Sequence, residues 1–341
     1  MRGSGIAGAL GCAALVAGGT SGVADAATAG RTTTLPVAER GGHASNVDYA
    51  HGAAWVQVGP RLLERVQPGR PTRRVRLAAK IEDVTAGYGR VWGLTRRGDA
   101  SWATALNARA ARIVGPRKGT RLAKGLTGIR AGAGAVWAGA QGRLSRMDPR
   151  TRKVSTHLWP TTETGATEGW FAVAGGSLWS FSDANLNQWG PAAAAAPGKR
   201  TWDFAQISET RAVGTELGPQ GAVHQGGGFF VVDGADSGST TVTRTTPGTG
   251  TVASAQIPTQ CAFASEMELG AGSLWILCAS TAGGKYTLVR ASLDLQQVDA
   301  YEVPKLPRVP QSYGGDVSLA FGGGSVWFTT GGRKLVRIVP S

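Results

Sequence analysis

The sequence predicts an all-β protein that forms a single seven-bladed β-propeller, and three observations lead to this fold class. An aromatic motif recurs along the chain at spacings of 37 to 52 residues. Further strand-like motifs follow most of its copies. Glycine is abundant, at 52 of 341 residues, which suits many tight turns. A repeat of this length that contains several short strands is typical of a propeller blade.

The recurring motif is Gly-x-(Val/Leu/Ala)-Trp, followed by a short apolar segment. Phe230 occupies the position of the fifth tryptophan. Because the aromatic residue is large and apolar, we expect it to pack between neighbouring blades. The seven copies end at Trp55, Trp92, Trp137, Trp179, Phe230, Trp275 and Trp327.

Two more motifs complete the repeating unit. Segments 63–68, 144–149, 242–247 and 335–340 share the pattern (Leu/Val)-x-Arg-x-x-Pro. A third motif pairs an aliphatic or aromatic residue with Pro160, Pro258 or Pro304. Proline lacks an N–H group and suits a strand end or a sheet edge. Each unit is therefore expected to be a four-stranded sheet.

The last unit ends after its third strand, so its fourth strand has to come from elsewhere. Segment 32–36, Thr-Thr-Thr-Leu-Pro, has the β-branched content and the Leu-Pro ending of that strand. We therefore predict that an N-terminal strand completes the last blade and closes the ring, which avoids exposed sheet edges.

The first 26 residues read as a secretory signal peptide, followed by the propeller over residues 27–341. Arg2 precedes an apolar run at 6–17, and Ala24-Asp25-Ala26 fits a small-x-small cleavage site. A lipoprotein anchored at Cys12 is a weaker alternative, because Ala9 stands where such a motif has leucine. We expect a secreted or extracytoplasmic protein at the cell surface, without a transmembrane segment.

Two cysteines, Cys261 and Cys278, follow the signal segment. In an oxidising compartment two cysteines most simply form a disulfide. They flank the turn at 270–272, so the bridge would link the two strands of one hairpin in the sixth blade.

These repeats resemble those of bacterial secreted propellers, namely the YncE-like, NHL-type and quinoprotein-like repeats and the streptogramin B lyase family. Segments 326–329 (Val-Trp-Phe-Thr) and 335–338 (Leu-Val-Arg-Ile) are similar to the lyase repeat in particular. The resemblance implies a fold and not an activity. The lyase family implies a catalytic histidine and glutamates with magnesium in the late blades. This chain departs from that pattern, because none of its histidines lies in the sixth or seventh blade. They are His43, His51, His157 and His224. No catalytic residue and no cofactor are therefore predicted.

Four acidic residues precede the repeat aromatics at the entrances of the innermost strands. A ring of carboxylates around the central channel would suit a hard cation or a basic ligand. Alternatively, the acids lie at the solvated rim or pair with the many arginines, as buried acids require partners. The four are Asp83, Glu168, Glu266 and Asp316.

Tryptophan is also found outside the repeat motif. Trp159, Trp170, Trp189 and Trp202 fall close together, whereas Trp102 stands alone. Exposed tryptophans stack on sugars or anchor protein partners. The alternative is core packing in an irregular fourth blade.

Positive charge is concentrated in one part of the chain. The net charge is +14, yet residues 61–153 contain 22 Lys and Arg against five Asp and Glu, which is +17 and leaves −3 for the rest. Such asymmetry indicates an anion-facing surface, although compositional bias is an alternative. The densest groups are Arg73, Arg74, Arg76, Arg117, Lys118 and Arg121.

These observations favour an exported, non-catalytic binding or scaffold propeller that acts as a monomer. Its expected partner is an anionic cell-surface polymer or a protein, and nucleic acid would bind only non-specifically. The alternatives are a carbohydrate-binding propeller, or an enzyme of the streptogramin-lyase type with its site in the central funnel.

Overall fold

The computed structural model consists of β-strands joined by turns and short loops in the part of the chain that it describes. None of those residues belongs to a helix that is long and apolar enough to cross a membrane. The described residues are 31–37, 43–140, 143–158, 171–174, 177–182, 185–190, 205–211, 221–225, 228–234, 240–246, 250–257, 263–279, 286–303, 317–330 and 332–340.

The first half of these residues forms strand β1 and three sheets, called blades 1 to 3. The first strand in the chain is β1 (Arg31–Pro36). Blade 1 consists of β2 (Val47–Ala50), β3 (Ala53–Gln57), β4 (Leu62–Val66) and β5 (Arg73–Arg76). Blade 2 consists of β6 (Lys80–Gly87), β7 (Arg90–Arg97), β8 (Ala100–Asn107), β9 (Arg112–Ile113) and β10 (Thr120–Lys124). Blade 3 consists of β11 (Gly128–Gly132), β12 (Ala135–Ala140), β13 (Arg143–Met147) and β14 (Val154–Leu158).

The later strands form four more sheets, blades 4 to 7. Blade 4 consists of β15 (Phe171–Ala174), β16 (Ser177–Ser182), β17 (Asn185–Gly190) and β18 (Ala205–Arg211). Blade 5 consists of β19 (Gly221–Gln225), β20 (Gly228–Gly234), β21 (Thr240–Thr246) and β22 (Gly250–Ile257). Blade 6 consists of β23 (Phe263–Gly270), β24 (Ser273–Ala279), β25 (Tyr286–Ser292) and β26 (Val298–Glu302). Blade 7 consists of β27 (Val317–Gly322), β28 (Ser325–Thr330) and β29 (Lys334–Val339), with β1 outermost.

The sheets are arranged as in a propeller. The first strand of each sheet lies against the first strand of the next, in the order β2, β6, β11, β15, β19, β23 and β27, and β27 in turn contacts β2. The predicted all-β propeller architecture is therefore confirmed.

The predicted N-terminal strand is confirmed as well. Strand β1 pairs antiparallel with β29, from Arg31 opposite Val339 to Pro36 opposite Lys334. The amide of Val37 then donates to the carbonyl oxygen of Arg333 at 3.0 Å, which continues the contact beyond the strand. The beginning of the propeller is thus the outer strand of its last blade.

The repeat tryptophans whose side chains the structure describes pack between blades, as predicted. Trp55 lies in one apolar cluster with Ile81 and Val84 of blade 2. Trp327 of blade 7 lies in another cluster with Val47 and Val56 of blade 1. Both indoles are almost completely buried, with 0% and 1% of the residue exposed. Burial of such large side chains supplies much of the free energy that holds neighbouring blades together.

A glycine five residues before the tryptophan has two roles in this packing. Its carbonyl oxygen accepts a hydrogen bond from the indole Nε1. In blade 6 the carbonyl oxygen of Gly270 lies 3.0 Å from Nε1 of Trp275. A Cβ on Gly270 would lie 1.9 Å from Cγ of Phe321 in the next blade. A side chain at this position would therefore push the two blades apart. The same indole bond joins Trp92 to Gly87, Trp137 to Gly132 and Trp327 to Gly322.

Two sets of turns lie on one side of the propeller, which we call the upper face. One set joins the first strand of a blade to the second, as at 51–52 and 88–89, and the other joins the third strand to the fourth, as at 67–72 and 148–153. The strand registers place both sets at the same end of each sheet, since Ala54 pairs with Val66 next to both turns. The outer strands β5 and β10 form part of the rim.

The hairpin predicted around residues 270–272 is present as β23 and β24, and Cys278 lies fully buried in β24. Cys261 lies outside the described residues. The disulfide between the two therefore stays a prediction.

Candidate functional site

The innermost strands of blades 1 and 2 each carry an aspartate that links its blade to the next one. Asp48 in β2 accepts hydrogen bonds from the amide of Tyr49 at 2.6 Å and from the amide of Ala86, in blade 2, at 2.5 Å. A carboxylate that accepts two backbone N–H groups satisfies donors of two strands at once. This aspartate therefore acts as a clamp between the inner strands.

Asp83 in β6 repeats the arrangement one blade further on. It accepts from the amide of Val84 at 2.7 Å and from the amide of Ile129, in blade 3, at 2.9 Å. The guanidinium of Arg130 adds an ion pair, with Nη1 2.6 Å from Oδ2 of Asp83. Asp48, Asp83 and Arg130 thus place one positive and two negative groups on the inner strands of three successive blades.

The carboxyl group of Asp48 differs in its electrostatics from a solvated acid. Burial raises the pKa of Asp48 to about 6. The amide hydrogen bonds from Tyr49 and Ala86 and the positive charge of Arg130 lower this pKa, whereas the negative charge of Asp83 raises it. The loss of hydration therefore outweighs the favourable partners at this position.

The four predicted funnel acids have different outcomes. Asp83 lies on an inner strand as expected, but its oxygens are held by two amides and Arg130, which matches the arginine-paired alternative. Glu266 lies in strand β23, at a bulge in its pairing with β24. Glu168 and Asp316 lie outside the described residues. Among the residues that the structure does describe, no three His, Cys, Asp or Glu side chains form a group suited to a metal ion.

Sequence reasoning missed Asp48 and Arg130. Each lies directly opposite the repeat tryptophan of its blade, Asp48 opposite Trp55 and Arg130 opposite Trp137. Both residues could therefore have been found by counting back from the tryptophan through the hairpin turn. Arg130 was missed because only acidic residues were expected to line the funnel.

The basic part of the chain, residues 61–153, lies in blades 1 to 3. Of its 22 Lys and Arg residues, 16 are exposed, five are half-buried and one, Arg65, is buried. Of its five acids only Asp99 is exposed. The excess positive charge is therefore at the surface, while most of the negative charge is not.

The other acids of this region have internal roles. Glu64, 1% exposed in its side chain, pairs with Arg74 at 2.7 Å. Glu82 pairs with Lys80 and Arg96, at 3.3 and 3.0 Å. Asp148 accepts hydrogen bonds from the amides of a turn at 150–151, and these lower the pKa of its carboxyl. Hence these carboxylates do little to screen the exposed cations from a ligand.

The predicted anion-binding residues lie on the outer edge of blades 1 and 2. Strand β5, the outermost strand of blade 1, presents three exposed arginines, of which Arg74 is bound to Glu64. In blade 2 a loop at 114–119 interrupts the outer edge between β9 and β10. It displays Arg117 and Lys118 at an exposed turn that is closed by a hydrogen bond from the amide of Gly119 to Pro116 at 2.8 Å. Arg121 follows, exposed, in β10.

Two of the tryptophans outside the repeat motif lie in described strands. Trp102 is half-buried in β8, opposite Thr95 and Arg121. Trp189 lies in strand β17. The remaining predicted members of that group, Trp159, Trp170 and Trp202, lie outside the described residues.

Comparison with known proteins supports the fold. No protein-family model matches the chain, and no curated protein matches it. Among solved structures, the Pan2 WD40 domain of Neurospora crassa matches with a TM-score of 0.60 and 9% identity, over 90% of this chain and 96% of that one. BBS1N, in its complex with ARL6DN, matches with a TM-score of 0.59 and 13% identity, over 92% and 97% of the two chains.

A third match is the extracellular domain of the putative one-component system BT4673 of B. thetaiotaomicron. Its TM-score is 0.59 at 13% identity, and the match spans 89% of this chain but 39% of that one. At such identities the likeness shows a shared β-propeller fold and leaves the function to be argued from the residues.

Proposed function

We propose that this chain is an exported, non-catalytic binding propeller whose seven sheets form one closed ring. Its ligand in this proposal is an anionic polymer of the cell surface, bound by the basic blades 1 to 3. One observation carries the proposal: residues 61–153 expose 16 basic side chains and one acidic side chain. A field of one sign attracts polyanions over a distance set by the ionic strength.

The distribution of the charge supports binding to a polymer over binding to a small anion. Exposed cations lie on the outer strand of blade 1, on the loop at 114–119 of blade 2 and in the turn at 148–153 of blade 3. A surface that extends over three blades matches a chain of repeated charges. Binding of this kind is expected to weaken steeply as salt rises.

Export forms part of the same proposal. It is supported by the three-part pattern of residues 1–26, which are removed as a signal peptide in this proposal. The propeller neighbours are compatible with a scaffold that binds a protein partner. The exposed cations favour the anionic polymer over that alternative.

The experiment measures retention of the mature protein on an anionic matrix in a salt gradient. The test variant changes Arg73, Arg76, Arg117, Lys118 and Arg121 to Gln. Arg74 is kept, because its loss would leave the buried carboxylate of Glu64 without its ion-pair partner. We expect the variant to elute at clearly lower salt than the wild type.

A matched pair of double variants controls for the change in net charge. Arg117→Gln with Lys118→Gln removes two exposed cations from blade 2, and Arg333→Gln with Lys334→Gln removes two exposed cations from blade 7. The first pair should lower the eluting salt more than the second. Equal shifts for both pairs would show that net charge alone, and no surface, governs binding.

A further inference from the structure

Two hairpin turns of the upper face carry large side chains where the backbone disfavours them. His51 has φ 48° and Tyr88 has φ 54°, in the left-handed region that glycine and asparagine adopt more readily. The corresponding turns of other described blades carry Ala133, Ala271 and Gly323. Bulky residues at such positions persist where the surroundings hold them, and they are concentrated at functional sites.

Both side chains extend over the junction to the next blade. Nε2 of His51 lies 3.7 Å from the position that a Cβ on Gly89 would occupy. Burial raises the pKa of the Tyr88 hydroxyl, while the amides of Ala135 and Gly134 in blade 3 lower it, so the phenol lies next to the inner turn of blade 3. The two side chains therefore follow one another along the inner turns of blades 1 to 3.

The side chains of His51 and Tyr88 are both exposed to solvent. His51 is exposed, and 44% of Tyr88 is accessible, which makes it the one exposed large apolar residue within the described ranges. An aromatic ring that faces solvent presents a stacking surface at little cost in conformational entropy.

Guanidinium groups lie beside this aromatic row. Arg90 and Arg146 stack on the indoles of Trp92 and Trp137, with Cζ 5.5 and 5.8 Å from the ring centroids. Arg90 also donates to the carbonyl oxygen of Pro149 at 3.0 Å. Such stacking holds a planar cation in one orientation before any ligand arrives.

The same face carries further positive charge in the turns between the third and fourth strands. Arg109 in blade 2 and Arg150 in blade 3 are both exposed there. The turn amides next to them are held by Asn107 and Asp148, whose side chains accept hydrogen bonds at 2.8 to 3.0 Å from Arg109, Ala110 and Arg150. The exposed cations thus project from turns of fixed shape.

Building on the proposed function, we propose that this upper patch binds a saccharide polymer that carries carboxylate or phosphate groups. In this complex the rings of His51 and Tyr88 stack on sugar faces. The guanidinium groups pair with the anionic substituents, which suit their planar fork. The upper patch consists of His51, Tyr88, Arg90, Arg109, Arg146 and Arg150.

The test compares three probes of similar chain length by titration calorimetry. Oligogalacturonate has both sugar rings and carboxylates. Polyglutamate has carboxylates only, and dextran has sugar rings only. The variant is His51→Gly with Tyr88→Gly. Glycine relieves the left-handed strain at both turns, so this variant should fold at least as well as the wild type. Ala133→Gly with Ala271→Gly is the matched control at equivalent turns.

We expect the wild type to bind oligogalacturonate about tenfold more tightly than polyglutamate, because two stacked rings add to the ionic attraction. The double glycine variant should lose this preference and keep its affinity for polyglutamate, and the control should behave as the wild type.

Equal affinity of the wild type for both anionic probes overturns the inference while leaving the proposed function standing. Failure to bind either anionic probe overturns both. Oligodeoxythymidylate is a fourth probe. If its binding depends on His51 and Tyr88 more strongly than oligogalacturonate binding does, the patch recognises nucleobases and the inference is overturned.

Discussion

The indole Nε1 of Trp275 donates a hydrogen bond of 3.0 Å to the carbonyl oxygen of Gly270, five residues earlier in the same hairpin. Blade 1 differs, because Ala50 occupies the position of that glycine. The buried Nε1 of Trp55 has no hydrogen-bond partner among the described residues. The repeat tryptophan is therefore held in two different ways in blades 1 and 6.

This difference leads to a first prediction. Trp275→Phe removes a hydrogen bond and leaves the carbonyl of Gly270 without its donor, whereas Trp55→Phe removes a donor that has no partner. We expect the Trp275 variant to lose about 1–2 kcal/mol more stability than the Trp55 variant. Urea unfolding of both variants measures this, and equal losses would contradict it.

A second prediction concerns the closing strand β1. Removing residues 1–37 exposes the outer edge of β29 and takes Val37 away from the apolar cluster that includes Val47 and Leu335. We expect the melting temperature to fall by more than about 5 °C, because a packed strand and its hydrogen bonds are lost. The control is a protein that begins at residue 31. If the two proteins melt within about a degree of each other, strand β1 contributes nothing to stability.

A third prediction follows from Asp48. Its folded pKa of about 6 lies above the ordinary aspartate value of 3.8, so the folded protein takes up a proton more readily than the unfolded chain. The contribution of this group to stability is therefore greatest below pH 3.8 and falls as pH rises through 6. At 1.36 kcal/mol per pKa unit, the ionised form costs about 3 kcal/mol at neutral pH.

The measurement is a ¹³C NMR titration of the Asp48 carboxyl carbon, assigned with Asp48→Asn. A midpoint near pH 6 is expected. A midpoint at or below pH 4 would show that the amide bonds and Arg130 outweigh burial. Unfolding free energies of the wild type relative to the Asn variant should decline between pH 4 and 6.

A fourth prediction concerns the two cysteines that flank the β23–β24 hairpin. A bridge from Cys261 to Cys278 would close a short loop and add about 3 kcal/mol of stability. Thiol titration of the unfolded, unreduced mature protein should find no free thiol. Two free thiols would exclude the bridge, and an unchanged melting temperature after reduction would show that it contributes no stability.

Much of the fold could be predicted from the sequence, because the constraint that shapes each blade is local. The tryptophan, its glycine and the following Leu-x-Arg segment fall within one hairpin and the next strand, so their spacing repeats. Segment 32–36 was predicted to be an outer strand from its β-branched residues and its Leu-Pro ending, and the pairing of β1 with β29 confirms it.

The site was less predictable, because it depends on contacts between different blades. Nothing local to Asp48 indicates that its carboxylate accepts from the amide of Ala86. Similarly, the charge count predicted a basic region, but not that its acids are held inside ion pairs, as Glu64 is by Arg74. Cross-blade partners of this kind come from distant parts of the chain.

The pairing of β1 with β29 also determines when the molecule can finish folding. Arg31 and Val339 are separated by nearly the whole propeller, so this contact carries the largest entropic cost of loop closure in the structure. Blades 1 to 6 are each able to form from their own hairpins, but blade 7 stays incomplete until β1 arrives from the other end of the chain. We expect this pairing to be the slow step of folding, as non-local β-pairing is slow in general. A circular permutant that begins at β2 and ends with β1 would turn this distant contact into a simple hairpin and should fold faster.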